Sequence, residues 1–140
     1  MIKLLVGLSL LISSTVFGQS SEIQETYTIS VTVKNITGED GQIGLALYNK
    51  DNFMRAPLRV VNGSIESGES FAVFKNIAPG RYAIAAMHDK NSNNQMDFDS
   101  NGMPLEDYGM SNNVMTYGPP EFEISAFNLR DESLELEIKF

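Results

Sequence analysis

The sequence predicts an all-β fold, a single antiparallel β-sandwich of about six to eight strands with one long loop rich in Asn, Asp and Gly. Apolar and polar residues alternate along residues 27–34 and again along residues 134–140. A period of two is the spacing of a strand that buries one face and exposes the other. Turn-forming residues separate such segments, and no long apolar stripe has the helical period. This combination favours a β-sandwich over helical and α/β folds.

The first half of the chain contains two alternating, strand-like segments and a hairpin signal. Residues 27–34 form the first, with β-branched side chains at most positions. A turn at residues 38–41 contains two glycines, and residues 43–47 then resume the alternation. A connection follows in residues 50–57. The dipeptide Asn62-Gly63 predicts a hairpin turn because both residue types tolerate positive φ.

The second half holds a central strand and a long irregular stretch. Residues 71–77 alternate, and Pro79-Gly80 predicts the next turn. Residues 81–88 are apolar on both faces, which is typical of a strand in the middle of a sheet. Residues 91–120 are rich in Asn, Asp, Gly and Pro, and so long a stretch in one domain usually binds something or is disordered. Residues 122–126 and 134–140 alternate again and predict the last strands.

The N-terminus has the pattern of a secretory signal peptide in residues 1–18. Lys3 gives it a positive start, and the apolar run in residues 4–12 is too short to span a bilayer. Residues 19–140 are then a single domain of 122 residues. We therefore expect an exported protein, periplasmic or extracellular, with no membrane span in the mature chain. An N-terminal membrane anchor is the alternative.

The composition is acidic and lacks cysteine. Without Lys3, the mature chain carries 9 basic and 18 acidic residues, a formal net charge of −9. Such a chain repels phosphates, which argues against nucleic acid and against an anionic membrane as partners. The absence of Cys and the single His exclude disulfides, thiolate zinc sites and multi-histidine metal sites. The charge suits a protein that binds cations.

Oxygen-bearing side chains recur at every second position of residues 89–99, which we call the oxygen-rich loop. Ca²⁺ takes about six to eight oxygen ligands, and this spacing resembles positions 1, 3, 5, 7 and 9 of the EF-hand calcium loop. The residue at position 7 contributes its backbone carbonyl. The sequence therefore predicts a Ca²⁺ site whose ligands are Asp89, Asn91, Asn93, Gln95, Asp97, Asp99 and, from outside the loop, Glu106.

The loop departs from the EF-hand pattern in three ways. Asn94 replaces the glycine at position 6, Ser100 replaces the bidentate Glu at position 12, and strands replace the flanking helices. The last ligands must therefore come from elsewhere, and Asp99, Glu106 and Asp107 are candidates. The alternative is a solvated turn, because Asn and Asp bond their own backbone and populate loops without any metal.

Two other classes of function remain open. A hydrolase acting on an envelope polymer would use Asp89, Asp97 or Glu106 as acid or base, but no nucleophile motif supports it. A structural subunit would add strands to a partner's sheet through an unpaired edge at residues 27–34 or 134–140. We interpret His88 as structural. Adjacent strand residues point to opposite faces, so His88 should face away from the predicted ligand set that includes Asp89.

The long loop also offers candidate contacts for a partner in the cell envelope. We expect a metal-ordered loop to present aromatic and amide side chains to that partner, an unidentified protein or polymer. These candidates are Tyr108, Asn112, Asn113 and Tyr117. The sequence does not specify the oligomeric state.

Five blocks of sequence follow one another at a characteristic spacing: Pro79-Gly80-Arg81-Tyr82-Ala83-Ile84-Ala85, His88-Asp89-Lys90-Asn91, Asn93-Asn94-Gln95-Met96-Asp97, Gly102-Met103-Pro104-Leu105-Glu106 and Tyr108-Gly109-Met110-Ser111-Asn112-Asn113. In their order and spacing these blocks resemble the DUF2141 family of small exported bacterial proteins. The resemblance covers nearly the whole mature chain and implies an exported β-sandwich without naming an activity. The family usually has Asn-Gly where this chain has Asn93-Asn94. The Pro-Gly-Arg-Tyr turn and the following strand also resemble transthyretin-like and prealbumin-like sandwich modules. We therefore expect a sandwich of the immunoglobulin-like or transthyretin-like kind.

Overall fold

The computed structural model describes residues 22–140, so the predicted signal peptide lies outside the described residues. The described chain is nearly all β, as the sequence predicted, with nine strands, one helical turn and one 3₁₀ turn. The elements are β1 (Tyr27–Lys34), β2 (Gln42–Tyr48), β3 (Arg59–Gly63), β4 (Ile65–Glu66), β5 (Glu69–Ile77), β6 (Gly80–Asp89), β7 (Tyr108–Met110), the 3₁₀ turn (Ser111–Asn113), α1 (Phe122–Ser125), β8 (Phe127–Leu129) and β9 (Leu134–Lys139).

The strands form two sheets. The first has the order β4-β5-β1-β9, and the second has the order β3-β2-β6-β7. Two strands pair with the edge of β6 that faces away from β2. β8 pairs with the first residues of β6, and β7 pairs with its later residues. β6 is therefore the central strand of the second sheet, as its apolar composition predicted.

The inward side chains of both sheets meet in one core. Ile29, Val31 and Val33 supply it from β1, and the alternating residues of β2 supply it from the second sheet. Phe74 of β5 is among the largest fully buried side chains. Burying one such side chain stabilises a fold by about 1.5–3 kcal/mol. The same alternation that predicted the strands therefore supplies the side chains of the core.

The second face of β6 is covered at its first end. Ala83 is fully buried there, although Ile84 beside it points into the core. Phe122 of α1 packs edge-on against Phe53, which packs edge-on against Tyr48. Tyr48 lies opposite Ala83 in the register of β2 and β6. The aromatic cluster thus closes this end of the sheet and leaves the other end of β6 to the oxygen-rich loop.

The structure corrects the predicted strand arrangement in two respects. It has nine strands rather than six to eight, and β9 runs parallel to β1, so the fold is not purely antiparallel. β1 lies between β5 and β9 and therefore has no free edge for a partner strand. β9 is an edge strand, but the Asn113 side chain occupies part of it, accepting from Lys139 N at 2.8 Å and donating to Glu137 O at 2.9 Å.

Two local predictions were also wrong. Asn62-Gly63 lies inside β3, and the turn between β4 and β5 is instead at Ser67 and Gly68, where φ is +52° and +75°. Residues 122–126 are not a strand, because Phe122–Ser125 forms one turn of helix. Its two buried residues are three positions apart, which is the spacing of one helix face.

Candidate metal-binding loop

The oxygen-rich loop begins on a rigid element, because Asp89 is the last residue of β6 and its side chain is 0 % exposed. The Asp89 carboxylate accepts hydrogen bonds from two backbone N–H groups of the loop. Asn93 N lies 3.0 Å from Oδ1, and Asn94 N lies 2.8 Å from Oδ2. Asn94 adopts φ of +60°, so Asn occupies the left-handed position that glycine fills in an EF-hand loop. The first turn of the loop is therefore wrapped around one buried carboxylate.

Asp89 forms no ion pair with Lys, Arg or His within residues 22–140. Burial raises the pKa of its carboxyl, but hydrogen bonds from Asn94 N, the Gln42 amide and Asn93 N together bring that pKa below its usual value. Asp89 is therefore held as a buried anion by dipoles alone. A general acid needs the opposite shift, so the lowered pKa of Asp89 counts against this residue as the acid of a hydrolase.

Glu106 closes the loop from the other side. Its carboxylate is buried, and it accepts hydrogen bonds from Lys90 N at 2.9 Å and from Asp97 N at 3.2 Å. One side chain therefore joins the two ends of residues 90–97. Next to it, the Lys90 ammonium lies 3.6 Å from the carboxylate of Asp107 in an exposed ion pair. Glu106 therefore lies beside the oxygen-rich loop, and its role as a ligand stays a prediction.

Asp97 faces the amides of Asn91 and Asn93 across the loop. Asn91 Nδ2 lies 2.7 Å from Asp97 Oδ2, and Asn93 Nδ2 lies 3.0 Å from Asp97 Oδ1. The amide oxygens are also engaged, since Asn91 Oδ1 accepts from Asn93 N and Asn93 Oδ1 accepts from Gln95 N. These are the local side-chain-to-backbone bonds of an Asx-rich turn.

Five of the seven predicted ligands therefore belong to one hydrogen-bonded network: Asp89, Asn91, Asn93, Asp97 and Glu106. The side chains of the other two lie outside it, although the Gln95 backbone N–H donates to Asn93 Oδ1. Asp99 Oδ1 accepts from Asn101 N and Met103 N in the next turn, and the Gln95 side chain is exposed. No three His, Cys, Asp or Glu side chains of the described chain are grouped to hold a metal ion. An ion in this loop would therefore depend on amide and carbonyl oxygens as well.

The side chains of His88 and Ser111 both form hydrogen bonds that hold the fold together. His88 is buried on the core side of β6, and its Nε2 lies 2.8 Å from Asp40 O in the turn before β2. Since a carbonyl only accepts, Nε2 carries the proton in this contact. Ser111 Oγ accepts from Ile84 N and donates to Ser125 O. Each side chain bonds to backbone groups and not to the other, so His88 and Ser111 do not form a nucleophile–base pair.

Sequence reasoning missed two residues that shape the loop. Gln42 lies opposite Asp89 in the sheet, and its Nε2 donates to Asp89 Oδ2 at 3.2 Å and to Asn94 Oδ1 at 3.1 Å. Gly41 has φ of +75°, and a Cβ there would collide with the Asp89 carbonyl oxygen. The signal for both was weak: a polar residue and a glycine at the start of an alternating strand, far from the loop in sequence.

The four candidate partner residues lie on one stretch but differ in availability. Tyr108 and Tyr117 are exposed. The Asn112 amide donates to Ile124 O and Ala126 O, and that of Asn113 is bonded to β9. Tyr108 and Asn113 also help to line a groove of about 390 Å³ that includes Met115 and Lys139. A partner role for these residues stays a prediction.

Comparisons with known proteins identify a family and nothing closer. The family described as "Uncharacterized protein conserved in bacteria (DUF2141)" matches residues 31–137. No curated protein and no solved structure matches the chain. Within residues 22–140, no helix has the length and apolar character needed to cross a membrane.

Proposed function

Because the chain belongs to the DUF2141 family, which is described only as uncharacterised, we propose a function from the geometry of its loop. The protein is an exported, non-enzymatic module that binds Ca²⁺ in the oxygen-rich loop and presents the ordered loop to a partner in the cell envelope. The observation that carries this proposal is the network of Asp89, Asn91, Asn93, Asp97 and Glu106. Hydrogen bonds link the carboxylates of Asp89, Asp97 and Glu106 to one another through backbone N–H groups and two amides, so that one connected network offers these oxygens.

The carboxylate oxygens of Asp89 and Glu106 can serve an ion while keeping the hydrogen bonds that they accept from backbone N–H groups. Each carboxylate or amide oxygen has two lone pairs, and most of those in the network use one for a backbone N–H. To coordinate, the amides of Asn91 and Asn93 would turn Oδ1 towards the ion and give up the bonds that Nδ2 donates to Asp97 and that Oδ1 accepts from backbone N–H groups. Ca²⁺ would then replace the amide donors as the group that neutralises the Asp97 carboxylate. Gln95 contributes its backbone carbonyl, as position 7 does in an EF-hand loop.

The ion stabilises the folded state because it binds the folded loop and not the unfolded chain. The loop lacks a bidentate Glu at position 12, where Ser100 stands. Fewer charged ligands weaken binding, and extracellular modules commonly have Kd values of about 10⁻⁴–10⁻³ M. We therefore propose a site that fills at the millimolar calcium of an external medium. The fold that carries it is, in this proposal, a β-sandwich of the immunoglobulin-like or transthyretin-like kind, supported by the single core between two sheets.

Titration calorimetry of residues 19–140 tests the site. Asp97→Asn removes the most accessible carboxylate of the network without changing its shape, so we expect Ca²⁺ affinity to fall by about tenfold or more. Asp131→Asn is the matched control, since Asp131 is exposed and lies outside the loop. Asp89→Ala should also abolish binding. Unchanged affinity in Asp97→Asn and Asp89→Ala would refute the site.

A thermal melt separates a calcium site from a plain turn. In millimolar CaCl₂ the Tm should rise by several degrees over its value in EDTA, because the ion binds only the folded state. MgCl₂ should give a smaller rise, since Mg²⁺ prefers few protein ligands and several waters. Equal Tm values in EDTA and in CaCl₂ would leave the loop an Asx-rich turn.

A further inference from the structure

A short two-stranded ribbon projects from the end of the oxygen-rich loop. Residues 97–105, which we call the apolar ribbon, are closed by Leu105 N donating to Asp97 O at 2.8 Å and Asp99 N donating to Met103 O at 2.9 Å. Phe98 and Pro104 form the bridge between these bonds. Asp99 Oδ1 accepts two further N–H groups at the tip. The ribbon is therefore held by backbone hydrogen bonds and a capped turn.

The apolar ribbon exposes three large apolar side chains. Phe98 is 57 % exposed, Met103 is 63 % exposed and Leu105 is 59 % exposed. Residues opposite one another in an antiparallel pair share a face, so Phe98 lies on the face of Pro104, and Met103 and Leu105 lie on the other. Apolar side chains are thus exposed on both faces. A ribbon lying flat on the domain would bury the side chains of one face. Because apolar side chains are exposed on both faces, the apolar ribbon projects into solvent.

We propose that the apolar ribbon inserts into the surface of a phospholipid bilayer when Ca²⁺ occupies the oxygen-rich loop. This inference rests on the proposed function and names the partner of that site. Exposed clusters of apolar side chains on a soluble domain usually mark an interaction surface. A projecting ribbon with apolar groups on both faces fits a fluid apolar phase, because such a phase can surround both faces. One wall of a protein groove would cover only one face.

Charge complementarity selects a phosphate-bearing surface and explains the need for calcium. The carboxylates of Asp97 and Asp99 begin the ribbon on an acidic chain, so the ion-free protein repels anionic headgroups. A bound Ca²⁺ reduces this repulsion at the ribbon's base. The missing position-12 ligand leaves coordination places free, and lipid phosphate oxygens are hard ligands of the kind that Ca²⁺ takes. The ion would then bridge Asp97 to the headgroup while the apolar side chains enter the interface.

Co-sedimentation with vesicles of equal parts phosphatidylethanolamine and phosphatidylglycerol tests the proposal. The protein should sediment in CaCl₂ and not in EDTA, and vesicles of phosphatidylcholine alone should bind it less. Phe98→Ser should lower vesicle affinity by about tenfold or more, which corresponds to the burial of one aromatic side chain. Phe71→Ser is the matched control, because Phe71 is 61 % exposed but lies on β5, away from the ribbon.

The same variants separate this inference from the calcium site. Phe98→Ser should bind Ca²⁺ in calorimetry as the unaltered protein does, since its side chain is not a ligand. Calcium binding without vesicle binding would overturn the membrane proposal and leave the proposed function intact. Equal vesicle binding by Phe98→Ser and Phe71→Ser would also overturn it. Vesicle binding in EDTA that Phe98→Ser abolishes would support insertion of the ribbon and overturn its control by calcium.

Discussion

Gln42 donates a hydrogen bond from Nε2 to Oδ2 of Asp89 at 3.2 Å across the register of two neighbouring strands. The same amide reaches Asn94 Oδ1 at 3.1 Å. Gln42 thus ties the buried carboxylate to the turn that wraps around it. This contact orients the predicted ligand from outside the loop, as residues behind metal ligands commonly do.

Gln42→Ala should weaken Ca²⁺ binding by about tenfold, because it frees the Asp89 carboxylate to rotate. Titration calorimetry measures the change. Gln95→Ala is the control, since the exposed Gln95 side chain is not the predicted ligand and its backbone carbonyl is retained. Equal losses in the two variants would show that orientation of Asp89 by Gln42 does not matter to the site.

Gly41→Ala should destabilise the fold by about 2–4 kcal/mol, because strain at positive φ adds to a collision with the Asp89 backbone. Urea unfolding gives the free energy of unfolding. Gly102→Ala is matched in backbone conformation, with φ of +80°, but nothing lies within 4 Å of its added Cβ. It should cost only about 1–2 kcal/mol. A cost for Gly41→Ala no larger than for Gly102→Ala would contradict the close approach to Asp89.

Asn113→Gly should open the edge of β9. The substitution suits the backbone φ of +51° and removes the two side-chain bonds to Glu137 O and Lys139 N. We expect a loss of about 1–3 kcal/mol in stability and faster hydrogen exchange at the Lys139 amide. Asn113→Asp keeps the acceptor for Lys139 N, so it should preserve more of that protection. Unaltered exchange at Lys139 in Asn113→Gly would mean that this side chain does not close the strand.

Glu123 links stability to acid pH. Hydrogen bonds from Lys50 and then Arg81 lower its pKa from the usual 4.5 to about 2, against an opposing effect of burial. A carboxyl whose pKa is depressed by folding stabilises the fold above pH 4.5 and loses that contribution as pH falls towards about 2. The ion pairs are exposed, so salt should weaken the effect.

Lys50→Ala should raise the pKa of Glu123, which a carbon-detected NMR titration of the side-chain carboxyl would measure. Lys75→Ala is the control, because Lys75 is exposed and pairs with no acid in the described chain. The pKa of Glu123 in the Lys75→Ala variant should match its value in the unaltered protein. A Glu123 carboxyl that titrates at its usual value before any substitution would remove the basis of this prediction.

The local sequence pattern predicted most of the strands correctly. It predicted the wrong element at two places. Residues 27–34 are β1 with the predicted bounds, because a half-buried strand repeats every two residues. Asn62-Gly63 fits a turn locally, yet a Cβ at Gly63 would collide with Ser70 Oγ of the other sheet. Glycine is needed there for packing between sheets. A five-residue window at 122–126 could not distinguish a strand from one helical turn.

The sequence by itself determined the β character of the chain and the row of oxygens at every second position of residues 89–99, because both are properties of neighbouring residues. Only the tertiary structure decided which oxygens share a network. Strand pairing sets Gln42 opposite Asp89, and the return of the chain before β7 brings Glu106 to Lys90 N and Asp97 N. These contacts join residues distant in sequence, and sheet register and chain path fix them rather than local composition.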